Sequence, residues 1–326
     1  MKKALITGIN GQDGSYLAEL LLAKGYEVHG AVRRSSIEDN SKMTNLKSII
    51  HKIKLHPCSL DNHLSVYKLI AAVQPDECYH LAASSFVSYS FEDEVSIIST
   101  NFNATHYILS SVRELVPHCR VYFAGSSEIF GTVTESPQNE DTPFNPRSMY
   151  GISKLASHHV VKNYREQHGI YACTGFTYNH ESPRRGYAFV TRKITSTVAK
   201  IHLGLEKHLE LGNIDAIRDW GYAPEYVDAM WRMLHNPHGA RDYVIATGIP
   251  HTVRDLLAVA VSVVDLDYGK FVKINPDYFR PGEQLPLLGN PTRIHDDLGW
   301  SAHTKFADMI QEMVTNDIQI LQHSST

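Results

Sequence analysis

A chain of 326 residues, 43% hydrophobic and 20% charged, carries enough apolar material for one large domain or two lobes. Its formal charge of −4 offers no basic field for nucleic acid. No apolar run nears the roughly 20 residues that cross a bilayer, which excludes a helical membrane protein. Cys58, Cys78, Cys119 and Cys173 have no paired spacing and are expected as buried thiols of a reducing compartment. The 19 histidines are scattered without ligand spacing, so no metal site is expected. Met1 to Thr7 runs straight into a strand pattern instead of a signal peptide, and a cytoplasmic address is the expectation.

In chain order, an apolar run at Lys3 to Thr7 reads as a strand, and Ser15 to Lys24 has helical periodicity closed by Gly25. Strands are expected at Tyr26 to Val32, near Ile53 to His56, at Glu77 to Leu81 and at Arg120 to Ala124. Helices are expected across Leu64 to Val73 and around Ser99 to Glu114. A long helix from about Tyr150 to Gln167 leads into a strand at Tyr171 to Thr177. Such alternation implies an α/β fold with a parallel, doubly wound Rossmann-type sheet, because parallel strands need crossovers that cover both faces. After Asn179 the rhythm is read as irregular, with a loop over Glu181 to Gly186 and Pro250, Pro276, Pro281 and Pro291 breaking the pattern. Residues 1–178 are therefore expected to bind a dinucleotide, with a segment around 212–248 returning through a strand at Asp242 to Ala246. Residues 179–326 are expected to form mainly a smaller substrate lobe.

The glycines of Thr7-Gly8-Ile9-Asn10-Gly11-Gln12-Asp13-Gly14 fall between the first strand and first helix, where a pyrophosphate can meet bare amides and a positive helix end. Alone, the same spacing fits an ordinary tight turn. Arg33-Arg34-Ser35-Ser36 ends the second strand, where an NAD enzyme carries an acid for the ribose hydroxyls. Two cations and two hydroxyls suit a 2′-phosphate and favour NADP, although a solvated basic loop reads the same way. Tyr150 and Lys154 are four apart on one helical face, where an ammonium can lower the phenol pKa and fit it for proton transfer. Ser126, in Gly125-Ser126-Ser127-Glu128-Ile129-Phe130-Gly131, follows a strand end and can hydrogen-bond a sugar oxygen. The order of these three elements narrows the coincidence that each allows singly.

Together they resemble the extended short-chain dehydrogenase/reductases. Glu128, two residues after Ser126, is similar to the added carboxylate of their nucleotide-sugar 4,6-dehydratases. Asn179-His180-Glu181-Ser182-Pro183-Arg184-Arg185-Gly186 and Phe189 to Ile194 closely resemble the GDP-mannose 4,6-dehydratase family. So do Leu211-Gly212-Asn213, Arg218-Asp219-Trp220-Gly221, Asp242 to Gly248 and Tyr278-Phe279-Arg280-Pro281, over nearly the whole chain. The resemblance implies a lyase that uses NADP catalytically on a GDP-sugar, with Ser126, Glu128, Tyr150 and Lys154 catalytic. It implies cofactor contacts from Gly8, Asn10, Gly11, Gln12, Asp13, Gly14, Arg33, Ser59, Leu60, Leu81, Ala82, Ala83, Ser85, Tyr150, Lys154, His180 and Arg185. The sugar nucleotide would meet Ser84, Ser85, Glu128, Asn179, Val190, Lys193, Arg218, Arg280 and Glu283. Relatives with the Arg-Arg segment use it between subunits, which implies a homodimer or homotetramer.

The chain departs from the family pattern at several points. Met149 replaces a proline, Cys58-Ser59-Leu60 stands where Gly-Asp-Leu is usual, and Asp61 is then the remaining candidate for the acidic adenine contact. Ala83-Ser84-Ser85-Phe86 replaces a Gln-Ser-His run, and Tyr187-Ala188 replaces a polar pair. The segment between Ser36 and Ile53 is also short for the family. A dehydratase of a related GDP-sugar such as a GDP-heptose, a GDP-keto-sugar reductase or epimerase, and a non-catalytic binding protein therefore remain alternatives.

Overall fold

Short strands that are apolar on both faces can be buried only if helices cover the two sides of their sheet. The computed structural model describes residues 1–84, 94–278 and 285–324. Its first half runs β1 (Lys3–Thr7), α1 (Gln12–Ala23), β2 (Glu27–Val32), α2 (Arg34–Glu38), β3 (Lys54–Pro57), α3 (His63–Val73), β4 (Glu77–His80), α4 (Glu94–Leu115), β5 (Arg120–Ala124), α5 (Met149–His168) and β6 (Ala172–Thr177). These strands meet the sequence expectation to within one or two residues. Helix α1 begins earlier than expected, because its first turn lies inside the glycine segment.

The second half is more regular than the sequence reading allowed. It contains β7 (Asn179–Glu181), α6 (Val190–His202), β8 (Leu209–Leu211), β9 (Ile217–Tyr222), α7 (Ala223–Leu234), β10 (Tyr243–Ile245), β11 (Pro250–Thr252), α8 (Val253–Ser262), β12 (Val272–Ile274), α9 (Thr292–Leu298) and α10 (Phe306–Ser324). The loop expected over Glu181 to Gly186 begins on a strand, since β7 pairs in parallel with β9. Of the prolines cited as breakers, Pro250 opens β11 and Pro291 caps α9, edge positions where proline is tolerated, and Pro281 lies outside the described residues. α8 starts at a capping box between Thr252 and Asp255.

Among the described residues, one seven-stranded sheet has the order β10-β6-β5-β4-β1-β2-β3, and every pairing in it is parallel. The run 3-2-1-4-5-6 is that of the dinucleotide-binding doubly wound fold. β10, inside Asp242 to Ala246, extends this sheet beside β6. One face is packed by α1 and α7, through residues such as Leu17, Leu21, Tyr226 and Met230. The other is packed by α3, α4 and α5, through Val66, Ile108, Val112 and Val161. A separate core joins α6, α8 and α10 around Ile194, Leu256 and Met313. Within it Arg192 and Asp317 form an ion pair of 2.6 Å, with side chains only 3% and 2% exposed, and Thr195 Oγ1 donates to Asp317 at 2.8 Å. All four cysteines are free and buried. No described helix is long and apolar enough to cross a membrane.

Candidate active site

A cleft of about 1830 Å³ runs along the C-terminal ends of the large sheet's strands, from Gly8 after β1 and Arg33 after β2 to Gly125 after β5 and Thr177 at the end of β6. That edge is where open α/β sheets bind ligands. Helix α1 is preceded by Gly11, which has no side chain to cap it, so its first amides are left for whatever enters the cleft. A Cβ on Gly14 would lie 2.3 Å from Gly8 O and 2.6 Å from Ile9 Cα, so only glycine lets the helix seat this close to the turn. A bare helix start with no room for a Cβ fits a pyrophosphate.

The middle of the cleft is built by the turn after β5 and the start of α5. Ser126 Oγ accepts the Glu128 amide at 3.3 Å. Ser148 caps α5 by accepting the Gly151 amide at 3.0 Å. A Cβ on Gly151 would come within 2.6 Å of Glu128 O, so this glycine allows the helix to abut the serine turn and brings Tyr150 beside Ser126 and Glu128. Lys154 is 3% exposed. Its Nζ donates to Ala124 O at 2.7 Å and lies 5.7 Å from the Tyr150 ring centroid.

The electrostatics correct one expectation. Burial pushes the Tyr150 phenol up to about 12; a hydrogen bond with Ser126 opposes this and the negative charge of Glu128 adds to it. Burial also brings Lys154 down to about 7. The ammonium expected to acidify the phenol is thus penalised by the same dry surroundings, and Ser126 is the group that acts directly on Tyr150.

The opposite wall comes from the chain after β6. Asn179, Val190, Lys193 and Arg218 line it, as do His180 and Arg185. Lys193 Nζ lies 4.7 Å from the Tyr278 ring centroid. His180 has both ring nitrogens engaged, at 2.7 Å from Tyr178 O and 2.9 Å from Asp13 Oδ2, and stacks on Tyr226. Burial alone would raise the Asp13 pKa, but the charge and hydrogen bond of His180 overcome it and hold the carboxyl at about 2. Arg185 pairs with Glu181 at 3.1 Å and covers the Phe189 ring.

Of the residues expected from sequence, Asn10, Gln12, Ser59, Leu60, Leu81, Ala82 and Ala83 also line the cleft, and Asp61 joins them beside Ser59 and Leu60. Arg33, Arg34 and Ser35 are exposed at its β2 end. Ser84 is not among the described residues of the wall; its amide is donated to Asn101 Oδ1 at 3.0 Å. Ser85, Arg280 and Glu283 lie outside the described residues. Sequence reasoning missed two buried groups. Asn101 bridges the Ser84 amide and Ser153 Oγ, tying the strand-end loop to α5. Asp219, fully buried, accepts from Thr247 N and Oγ1, Gly248 N and Gly289 N, and so fixes the strand that carries Arg218. A polar residue on the apolar face of α4 was the only signal for the first. The second was visible only as part of a matched motif.

Comparison with known proteins meets this geometry. The family model described as GDP-mannose 4,6 dehydratase matches residues 5–313. The chain belongs to this family. It is 43% identical to GDP-mannose 4,6 dehydratase 2 of Caenorhabditis elegans, covering 98% of the chain and 90% of that protein. It is 44% identical to GDP-mannose 4,6 dehydratase 1 of Arabidopsis thaliana, with the same coverage on both sides. Among solved structures, RMD from Pseudomonas aeruginosa complexed with NADPH superposes with a TM-score of 0.82 at 21% identity, covering 98% of this chain and 100% of that one. A UDP-glucose 4-epimerase from Thermotoga maritima, with UDP-glucose, gives 0.85 at 21% identity, covering 98% and 99%. These two likenesses bear on the fold.

Proposed function

We propose that this member of the GDP-mannose 4,6-dehydratase family is a hydro-lyase that converts GDP-mannose to GDP-4-keto-6-deoxy-mannose with NADP as a recycled cofactor. The observation that carries the reading is the meeting of Ser126, Glu128, Tyr150 and Lys154 at the centre of one cleft, between a bare helix start and a basic wall. The turn from Gly8 to Gly14 would hold the pyrophosphate of NADP, Arg33 its 2′-phosphate, and Ser59 and Leu60, with Asp61, the adenine end. When bound there, NADP would supply the hydride acceptor and donor that links C4 oxidation to C6 reduction.

The protein's own groups handle the protons. Tyr150 Oη, hydrogen-bonded by Ser126, would take the proton of the C4 hydroxyl once its own proton has passed to Lys154, which burial brings down to about 7 and which Ala124 O holds beside the ring. A ketone at C4 acidifies the C5 hydrogen. Glu128 takes that proton and passes it to the C6 hydroxyl, which leaves as water, and the proton gathered by Tyr150 is returned at C5 as the hydrogen arrives at C6. Lys193 and Arg218 would meet the diphosphate, with Asn179 and Val190 alongside, and we extend this set to Ser84, Ser85, Arg280 and Glu283. The seven-stranded sheet thereby serves the dinucleotide and the lobe around α6, α8 and α10 serves the sugar nucleotide.

A reductase or epimerase of this fold would have no use for Glu128. Purified protein given GDP-mannose without added NADPH should yield a product lighter by one water. Glu128→Gln should still bind GDP-mannose and retain NADP but lose about 10² or more in turnover. Steady oxidation of NADPH with a keto-sugar, and no change in GDP-mannose, would overturn the reading; parallel incubation with a GDP-heptose tests the sugar. A homodimer or homotetramer resting on the exposed Arg33 to Ser35 segment, and a cytoplasmic location suited to four free, buried cysteines, complete the proposal.

A further inference from the structure

The dinucleotide turn and the sugar-nucleotide wall are far apart in sequence, yet a single segment, residues 181–190, runs from one to the other. At its start Ser182 Oγ donates to Gln12 Oε1 at 2.8 Å, and Gln12 Nε2 donates to His180 O at 3.0 Å. The next anchor is Arg184. Its Nη1 donates to Ser15 Oγ at 3.0 Å, its Nη2 pairs with Glu19 Oε1 at 2.7 Å, and its guanidinium lies 4.0 Å from the Tyr16 ring centroid. Three partners within about one turn of α1 thus fix one planar fork, an arrangement that lysine cannot reproduce. The segment then turns through Gly186, and the Phe189 carbonyl accepts the Lys193 amide as α6 begins.

We propose that Arg184 is a positioning residue that couples the two subsites: by clamping the 181–190 segment to α1, it makes the start of α6 follow the seating of the dinucleotide. The inference rests on the assignment of the two subsites above. Glu19 is the informative partner. It sits outside the cleft lining, and its carboxylate meets the Arg184 guanidinium at 2.7 Å, with only a longer 3.5 Å contact from Ser48 Oγ beside it among the described residues. A ligand that orders α1 and its glycine turn orders the anchor points of the clamp, and less ordering is left for the second ligand to bring about. With the clamp intact, NADP should tighten the binding of GDP; with it cut, the two should bind independently.

The test measures GDP affinity by calorimetry on the full chain, with NADP stripped and with NADP saturating, in wild type, Glu19→Gln, Arg184→Ala and the double variant. Turnover of GDP-mannose by the wild type is recorded in parallel. In the wild type NADP should tighten GDP by about tenfold, within the usual range for coupled sites. Glu19→Gln and Arg184→Ala should each bring that factor to below about threefold, with GDP affinity of the stripped protein changed little, and the double variant should be no worse than Arg184→Ala alone. A Glu19→Gln protein with wild-type coupling overturns the proposal, as does a wild type that turns over GDP-mannose but shows no coupling. If Arg184→Ala fails to fold, the half-buried Glu19→Gln change decides the matter by itself. Absence of dehydration in a wild type that still couples NADP to GDP would instead strike the assigned reaction and leave the clamp standing.

Discussion

The two walls of the cleft are made of different material. The wall on the large sheet is mostly main chain: strand ends, a glycine turn and the first turn of α1. The facing wall is mostly side chain, with Lys193 on α6, Arg218 on β9, His180 on β7 and Arg185 after it, set in place by other polar groups such as Asp13 and Glu181. A main-chain wall tolerates no added atoms but asks little of side-chain identity. A side-chain wall asks for particular groups and depends on what stands behind each. The same cleft should therefore fail in different ways according to which side is disturbed.

The largest effect belongs to the ground between the walls. Tyr150→Phe removes the proton acceptor while keeping the ring, and turnover of GDP-mannose should fall about a thousandfold with KM little changed, read by steady-state kinetics. Next comes the main-chain wall. Gly14→Ala forces a methyl against Gly8 O and Ile9, and it should abolish NADP retention through gel filtration and cost about 1–3 kcal/mol in chemical denaturation. If the variant keeps its cofactor, the contrast between the walls is broken. On the side-chain wall, Lys193→Ala should raise KM for GDP-mannose about tenfold and leave NADP retention intact, since one charged contact is lost and no backbone moves.

The smallest effect is a stability change at the Asp13–His180 contact, where the walls touch. Asp13 is held at about 2 in the folded protein, so the stability it contributes is full above its ordinary carboxyl range and is lost as pH falls from about 4 toward 2. Burial alone would lower the His180 pKa, but the Asp13 charge and hydrogen bond raise it, so its contribution is full below the usual histidine value and fades as pH rises through the folded value. Wild type should exceed Asp13→Asn by at most about 2 kcal/mol, with the gap widest between roughly pH 4 and 6.5 and narrowing on both sides. A gap that does not vary with pH would mean that the contact is packing alone.

The same contrast explains what could be read from the sequence. β1, α1 and Gly14 were legible because strand alternation, helical period and glycine spacing are local signals, and the pair Tyr150 and Lys154 lies on one helix. α6 and α7 were not recognised, although α7 buries Tyr226, Val227, Met230, Met233 and Leu234 at helical spacing. The nearby prolines drew the reading toward loops, and Pro224 in the first turn of α7 is in a position that suits a helix start. Lys193, Arg218 and His180 were named only through family resemblance. Their settings, such as His180 on Asp13 or Asp219 on Thr247 and Gly289, join residues far apart in the chain, and no local pattern reports them. The acidity of Tyr150 was misjudged because spacing shows which groups are near and says nothing of how dry their surroundings are.

The buried contact between Arg192 and Asp317 gives the protein an order of completion. The helix that carries Lys193 is pinned by a carboxylate from α10, which is synthesised after the other described helices. A growing polypeptide thus completes the strands of the large sheet well before the helix that carries Lys193 is pinned. A version cut short ahead of α10 would strip Arg192 of its counter-charge and the apolar face of α6 of its cover, one residue from Lys193.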